Sequence, residues 1–318
     1  MMVVMFFGLG ASAWLASHAQ SPSQLRAGLA AIGLFVSIYH PVGVAWVVRS
    51  ARQRGRALGI NGVFGSLGVA TAGIVTGWLV DRFGWRAAFA VPGYVAVATG
   101  FLLAGTIAAG WVADGRREHQ EQAHGSSDRW RSFLLLLTAL ACVGLIFQAT
   151  QTALPKHFEA RLSGFFSSGT FGIGVAVALV YFGAGFVQIV GGYLADRYAL
   201  RTIYVTGLLL QAPVLVLVSR LTGLSLIGAA FLAAVLNASV LPAENLLLAR
   251  VVPARHHALA YGVKFVVAFG VAPLAVLLVA WVADRTGQLE ALFLGLSAVA
   301  ALGAIVVWTI PEAGKQEG

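Results

Sequence analysis

Two residues of opposite charge stand inside otherwise apolar segments, where charge is energetically costly. Glu244 lies six residues before Arg250, and Lys264 lies seven residues after His257. At 1.5 Å of rise per helical residue, both lie about 10 Å below the same membrane surface, so a salt bridge between consecutive helices is possible. Such a pair could accept a proton at Glu244 or bind an anion at Lys264. The alternatives are a neutralised structural pair or a lysine that reaches to the membrane surface.

A histidine and several amides are the other polar side chains of interest. His40 lies deeper, at about 14 Å by the same rise per residue. An ordinary histidine pKa of about 6.5 suits a proton carrier. Alternatively, His40 is neutral and bonded to a neighbouring helix or to a carbonyl that Pro41 leaves unpaired. The amides could orient a substrate or only join helices; our candidates for the substrate or proton pathway are Gln148, Gln151 and Asn237.

The composition indicates which surroundings these residues occupy. Of the 318 residues, 59% are hydrophobic and 10% are charged, against about 25% charged in an average soluble domain. This excludes an ordinary soluble protein, a disordered protein and a nucleic-acid-binding domain, so the bilayer is the expected solvent and partner. The net charge of +9 comes from short basic clusters between apolar runs, which is typical of cytoplasmic loops.

Ten apolar segments are long enough to cross a bilayer as helices, which takes about 20 residues each. The predicted fold class is therefore an all-α integral membrane protein with about 10 transmembrane helices. A membrane barrel is excluded because the runs are too long and lack strand alternation. The approximate bounds are 1–18, 26–48, 57–80, 87–111, 133–152, 169–194, 202–219, 224–249, 259–282 and 290–310.

Basic residues also predict the orientation and the domain organisation. If Met1 is cytoplasmic, the inner loops hold thirteen Lys and Arg residues, against seven in the outer loops and Lys264 within a span. That excess places both termini in the cytoplasm of an inner-membrane protein. The polar stretch 112–132 is predicted to be a cytoplasmic linker between an incomplete four-helix bundle, 1–111, and a six-helix bundle, 133–318.

An internal repeat supports two bundles. At an offset of 201 residues, Pro41 aligns with Pro242, Arg49 with Arg250 and Leu58 with Leu259. The repeated segments keep their order and direction, which is typical of parallel repeats in two-bundle transporters. By this alignment Met1 corresponds to position 202. We therefore expect two further helices to be missing before Met1.

The segment GGYLADRYALR at 191–201 resembles the cytoplasmic loop signature of the major facilitator superfamily. Gly192, Asp196, Arg197 and Arg201 match that signature, and RGRALG at 54–59 resembles the start of the family's fifth helix. The resemblance implies two rocking bundles and a gating contact between Asp196 and the region near Ala57. Tyr39-His40-Pro41 before a basic loop is loosely similar to fosmidomycin-resistance-type exporters.

The expected function is secondary transport of a small-molecule substrate by alternating access, coupled to an ion, with a proton as candidate. The sequence has no GxxxxGK[ST] loop for ATP and no HExxH or GxSxG motif, so no cofactor is predicted and an enzyme is disfavoured. The alternative is a truncated, inactive or regulatory membrane protein derived from such a transporter.

Overall fold

Helices make up all the regular secondary structure in the described part of the chain. A computed structural model describes residues 1–112, 126–162 and 170–311. The helical state follows from the composition, because a helix satisfies its own backbone hydrogen bonds where a bilayer supplies no water. Most of these helices are apolar on all sides, as expected for segments that contact both lipid and protein.

The first half contributes five helices. They are α1 (Met2–Ser17), α2 (Pro22–Val36), α3 (Val44–Ser50), α4 (Arg54–Phe83) and α5 (Ala87–Ala108). A π-helical turn, Tyr39–Gly43, lies between α2 and α3 and makes Pro22–Ser50 one continuous span. Ser21 caps α2 by accepting a hydrogen bond from the Gln24 N–H, and Pro22 occupies a favoured first-turn position.

The second half contributes six helices. They are α6 (Ser126–Arg161), α7 (Thr170–Arg197), α8 (Leu200–Arg220), α9 (Gly223–Val251), α10 (His257–Thr286) and α11 (Glu290–Trp308), with a 3₁₀ turn, Ala254–His256, before α10. Eight spans in the described residues are long and apolar enough to cross a membrane, and Met2–Ser17 is a shorter apolar helix. Each of the ten predicted segments overlaps a helical part of the chain. The segment 57–80 lies within α4, and the segment 26–48 lies within the continuous span Pro22–Ser50.

The chain separates into two compact units, and the division falls within α4. The first unit holds Met1–Ala51 with Gly68–His119, and the second holds Arg52–Leu67 with Gln120–Gly318. The start of α4 thus groups with the second half of the chain. The predicted bundle boundaries follow the sequence repeat rather than these contacts, and they stay a prediction.

Within the first unit, α1 packs against α5 and α2 through small residues. A methyl group on Gly10 of α1 would lie 2.7 Å from the carbonyl oxygen of Gly93 in α5 and would also overlap Val97. Gly28 of α2 similarly faces the Ala16 methyl group of α1. Close backbone approach of this kind is how helices associate in lipid, where the hydrophobic effect does not draw them together.

Within the second unit, the principal helix pairs are α8 with α11, α7 with α9, α8 with α9 and α6 with α10. These pairs bury several large side chains almost completely, including Tyr204, Phe158 and Phe293. An ion cluster joins three helices at one end, where Glu290 of α11 pairs with Arg161 of α6 and lies 3.6 Å from Arg220 of α8. The unit therefore has a packed interior that can fix side-chain positions.

We predict that Gly10→Ala destabilises the first unit. The added methyl group meets a backbone carbonyl that cannot rotate away, and overpacking of this kind costs about 1–3 kcal/mol. Gly105→Ala on α5 is the matched control, because nothing lies within 4 Å of its position and alanine favours helix. Thermal unfolding in detergent should show a lower Tm for Gly10→Ala only. Equal melting of the two variants would contradict the packing described here.

Candidate functional site

A buried ion pair joins α9 and α10. The Lys264 Nζ lies 2.7 Å from Glu244 Oε1, and the two side chains are 4% and 2% exposed. Glu244 is seven residues from the end of α9, and Lys264 is seven residues from the start of α10. The equal depth inferred from the sequence thus corresponds to a direct contact, and neither charge extends to the surface of the second unit.

Both charges have further hydrogen-bond partners. The Tyr204 hydroxyl of α8 donates to Glu244 Oε2 at 2.7 Å, and Lys264 Nζ donates to the Asn245 side-chain oxygen. The Tyr261 hydroxyl donates to the Asn245 backbone oxygen at 2.8 Å. Tyr204 was not predicted as a site residue because an aromatic residue in an apolar helix is ordinary. The available signal was its position four residues after the start of α8, near the membrane surface that the pair also lies near.

The arrangement balances charge in a region without bulk water. Each buried ion would cost several kcal/mol alone, and mutual attraction with good hydrogen bonds offsets that cost. Because both oxygens of Glu244 are engaged, the carboxylate is well satisfied. Protonation of Glu244 would remove the neutralising charge from Lys264. The cluster can therefore exchange a proton only together with a rearrangement around the ammonium group.

The predicted amides lie on α6 and α9. Gln148 and Gln151 are half-buried on α6, while Asn237 is 4% exposed on α9. Among the buried polar atoms that make no hydrogen bond within the described residues are Thr150 Oγ1, Tyr181 Oη and Asn237 Nδ2, on three helices that contact one another. Buried polar groups usually have partners, so these atoms suit an external hydrogen-bonding molecule.

His40 lies in the first unit, inside the π-helical turn. Its backbone oxygen accepts from the Val44 N–H, and its ring lies edge-on to Tyr39 with 5.1 Å between centroids. Pro41 lacks an N–H and disrupts the regular helical bonding, which accounts for the turn at this place. Such π turns in helices are frequent at functional sites. His40 and the Glu244–Lys264 pair thus belong to different units.

Asp196 contacts the beginning of α4 within the second unit. Its Oδ1 accepts from the Gly55 N–H at 2.7 Å, and its Oδ2 accepts from the Arg56 N–H at 2.8 Å. The first N–H groups of a helix have no partner within the helix and carry partial positive charge. The carboxylate of α7 therefore caps α4 in the manner of an N-cap side chain, although it comes from another helix.

Glycines allow this contact. A side chain on Gly55 would overlap the Gly192 carbonyl oxygen, and one on Gly192 would overlap that of Gly55. The neighbouring arginines point elsewhere: Arg197 lies 4.1 Å from the Tyr193 ring centroid, and Arg201 donates to the Ile310 oxygen at 3.0 Å, beyond the end of α11. The structure thus brings Gly192 and Asp196 to α4 and places Arg201 at α11.

The fold and the buried charge pair define a polytopic helical membrane protein with an ionisable site inside one helical unit. The sequence profile of the Major Facilitator Superfamily matches residues 1–180 and 168–318. The chain belongs to that family. The superfamily assignment and the all-helical fold class predicted from the sequence are therefore confirmed, and the family's members are transporters.

Solved structures agree in fold. The E. coli fucose:proton symporter FucP matches with a TM-score of 0.76 at 14% identity, covering 98% of this chain and 82% of that chain. A structure of FucP in the outward conformation matches with a TM-score of 0.75 at 14% identity and with the same coverage. The human organic anion transporter MFSD10 (TETRAN) matches with a TM-score of 0.68 at 18% identity, covering 96% of this chain and 76% of that chain. No curated protein sequence matches the chain.

We predict strong coupling between Glu244 and Lys264 in a double-mutant cycle. Glu244→Gln leaves a buried ammonium without its counter-charge, which costs about 3–5 kcal/mol. Lys264→Met likewise leaves the buried carboxylate without its counter-charge. The double variant removes both charges. Its loss in free energy of unfolding should be smaller than the sum of the losses of the two single variants. Chemical or thermal unfolding in detergent measures this, and additive losses would show that the two charges do not depend on each other.

Proposed function

We propose that the protein is a secondary active transporter that moves a small solute across the inner membrane by alternating access, driven by a proton. The observation that carries the proton coupling is the buried Glu244–Lys264 pair, because it is a neutral ionic site that one proton would unbalance. The FucP structures support the proposal, since their fold is shared and FucP is named a fucose:proton symporter. The excess of basic residues in alternate loops supports a cytoplasmic position for both termini.

The solute path is proposed to include the polar side chains named above. Thr150, Tyr181 and Asn237 offer buried hydrogen-bonding atoms on helices that contact one another. Gln148 and Gln151 extend that polar set along α6. Polar groups within an otherwise apolar environment orient a small solute. In the first unit, His40 at the π-helical turn is proposed as a second protonatable group on the pathway.

The contact between Asp196 and α4 is proposed as the cytoplasmic gate. The carboxylate holds the α4 N-terminus against α7 when the gate is closed, and opening separates Asp196 from Gly55 and Arg56. Because Asp196 is exposed to solvent, its attraction to the helix end is modest, at about 0.5–1 kcal/mol. A modest contact suits a gate that must open in every transport cycle.

Asp196→Asn should increase the population with an open gate. A loss of about 0.5–1 kcal/mol corresponds to a two- to fivefold shift. The reporter is Leu58→Cys on α4, whose native side chain is 4% exposed, in a background where Cys142, the one cysteine, is replaced by Ser. Maleimide should label the reporter two- to fivefold faster with Asp196→Asn. Arg197→Gln is the control and should leave the rate unchanged; equal acceleration by both variants would remove the gating role.

Transport itself is tested with purified protein in proteoliposomes that enclose a pH-sensitive dye. A panel of small sugars, carboxylates and amines is added outside, and internal pH reports proton movement with the solute. At least one solute should change internal pH with the wild-type protein. Glu244→Gln should abolish that change while solute exchange continues, because the proton site is lost and the path is kept. Transport with unchanged proton movement in Glu244→Gln would place coupling elsewhere.

A further inference from the structure

Among the described residues, Glu244 is the one carboxylate that pairs with Lys264 and balances its charge. The ammonium is bonded to one carboxylate oxygen and to the neutral Asn245 oxygen, and it lies 5.3 Å from the Phe265 ring centroid. The amide and the ring stabilise a cation weakly compared with a carboxylate. The charge of Lys264 therefore depends on an anion at the position that Glu244 Oε1 occupies.

Glu244 has a second partner that can hold it without Lys264. The Tyr204 hydroxyl bonds to the oxygen that faces away from the ammonium. A protonated Glu244 can keep this contact, because a carboxyl group retains acceptor capacity when it carries a proton. Protonation thus neutralises Glu244, so that its other oxygen can turn away from the ammonium group while Tyr204 keeps its bond, and Lys264 is left with a net positive charge among buried groups. An anion from outside the chain would relieve that imbalance, whereas a neutral solute would not.

From this geometry we infer that the transported solute is an anion whose carboxylate-like group replaces Glu244 at Lys264 when Glu244 is protonated. The inference rests on the proposed transport function and names its substrate class. Each anion then enters with one proton, and the site stays neutral in both states. Asn245 fixes the direction of the ammonium group and Tyr204 holds the protonated Glu244, so both are positioning residues.

The coupling follows from differential affinity. An anion binds the form with protonated Glu244 more tightly, so anion and proton favour each other's binding by the same factor. Among the described residues near the pair, the Tyr204 hydroxyl bonds to Glu244, the Tyr261 hydroxyl bonds to the Asn245 backbone and the Cys142 thiol lies close to Tyr204. These three groups are neutral in the ordinary pH range. Arg54, whose charge acts on Tyr261, is positive throughout that range. Glu244 is therefore the group whose proton changes the charge at Lys264.

The inference is tested by chemical rescue with formate, the smallest carboxylate. Glu244→Ala removes the internal carboxylate and leaves space beside Lys264. Formate should raise the Tm of purified Glu244→Ala in a saturable manner, by several degrees, and formamide, its neutral analogue, should not. The double variant Glu244→Ala with Lys264→Met is the matched control and should not respond to formate. The wild-type protein at neutral pH should respond weakly, since the charged Glu244 carboxylate still neutralises Lys264.

Glu244→Gln provides the same test if Glu244→Ala does not fold, because glutamine keeps the shape of a protonated carboxyl group. Stabilisation of Glu244→Gln by formate, absent when Lys264→Met is added, supports the inference. An absent response in the foldable single variant, or an equal response in the double variant, overturns it. If formate stabilises the variant and no solute crosses proteoliposomes, the transport proposal fails and Lys264 remains an anion-binding site without a transported substrate. If solute crosses and formate has no effect, the anion inference fails alone.

Discussion

A carboxylate and an ammonium group can remain charged among apolar helices only while each neutralises the other. Glu244 and Lys264 meet this condition at 2.7 Å with almost no exposure. The condition fixes the depth and rotation of α9 and α10, because the two side chains must converge from consecutive helices. It also fixes α8, whose Tyr204 satisfies the remaining carboxylate oxygen. Three helices of the second unit are thus held in relation to one ion pair.

The sequence predicted what depends on helical rise and failed on what depends on helical rotation. Span positions and the equal depth of Glu244 and Lys264 follow from 1.5 Å per residue, and the structure reproduces both. The partner of Glu244 on α8 could not be predicted. Rotation is encoded by an apolar stripe against a polar face, and α9 and α10 are apolar on nearly every side, so the sequence contains little information about which face meets which neighbour.

Local backbone chemistry was predictable in part. The family resemblance predicted a contact between Asp196 and the region near Ala57. The observed contacts lie slightly earlier in the chain, at the Gly55 and Arg56 N–H groups. The first turn of α4 is where unpaired N–H groups are found, which explains the displacement. Pro41 indicated a disturbance of the helix near His40, but its form as a π turn depends on packing that the sequence does not display.

Helix α7 has backbone contacts on two sides, and this connects the ion pair with the Asp196 contact. Side chains on the adjacent glycines would overlap different helices: Gly191 faces the Ser239 oxygen of α9, and Gly192 faces the Gly55 oxygen of α4. No side chain is present at either place to absorb a displacement by changing its rotamer. Ser239 precedes Glu244 by five residues on α9, with Pro242 between them. A displacement of α9 at Ser239 would move α7, and with it the carboxylate that caps α4, because close-packed backbones transmit strain.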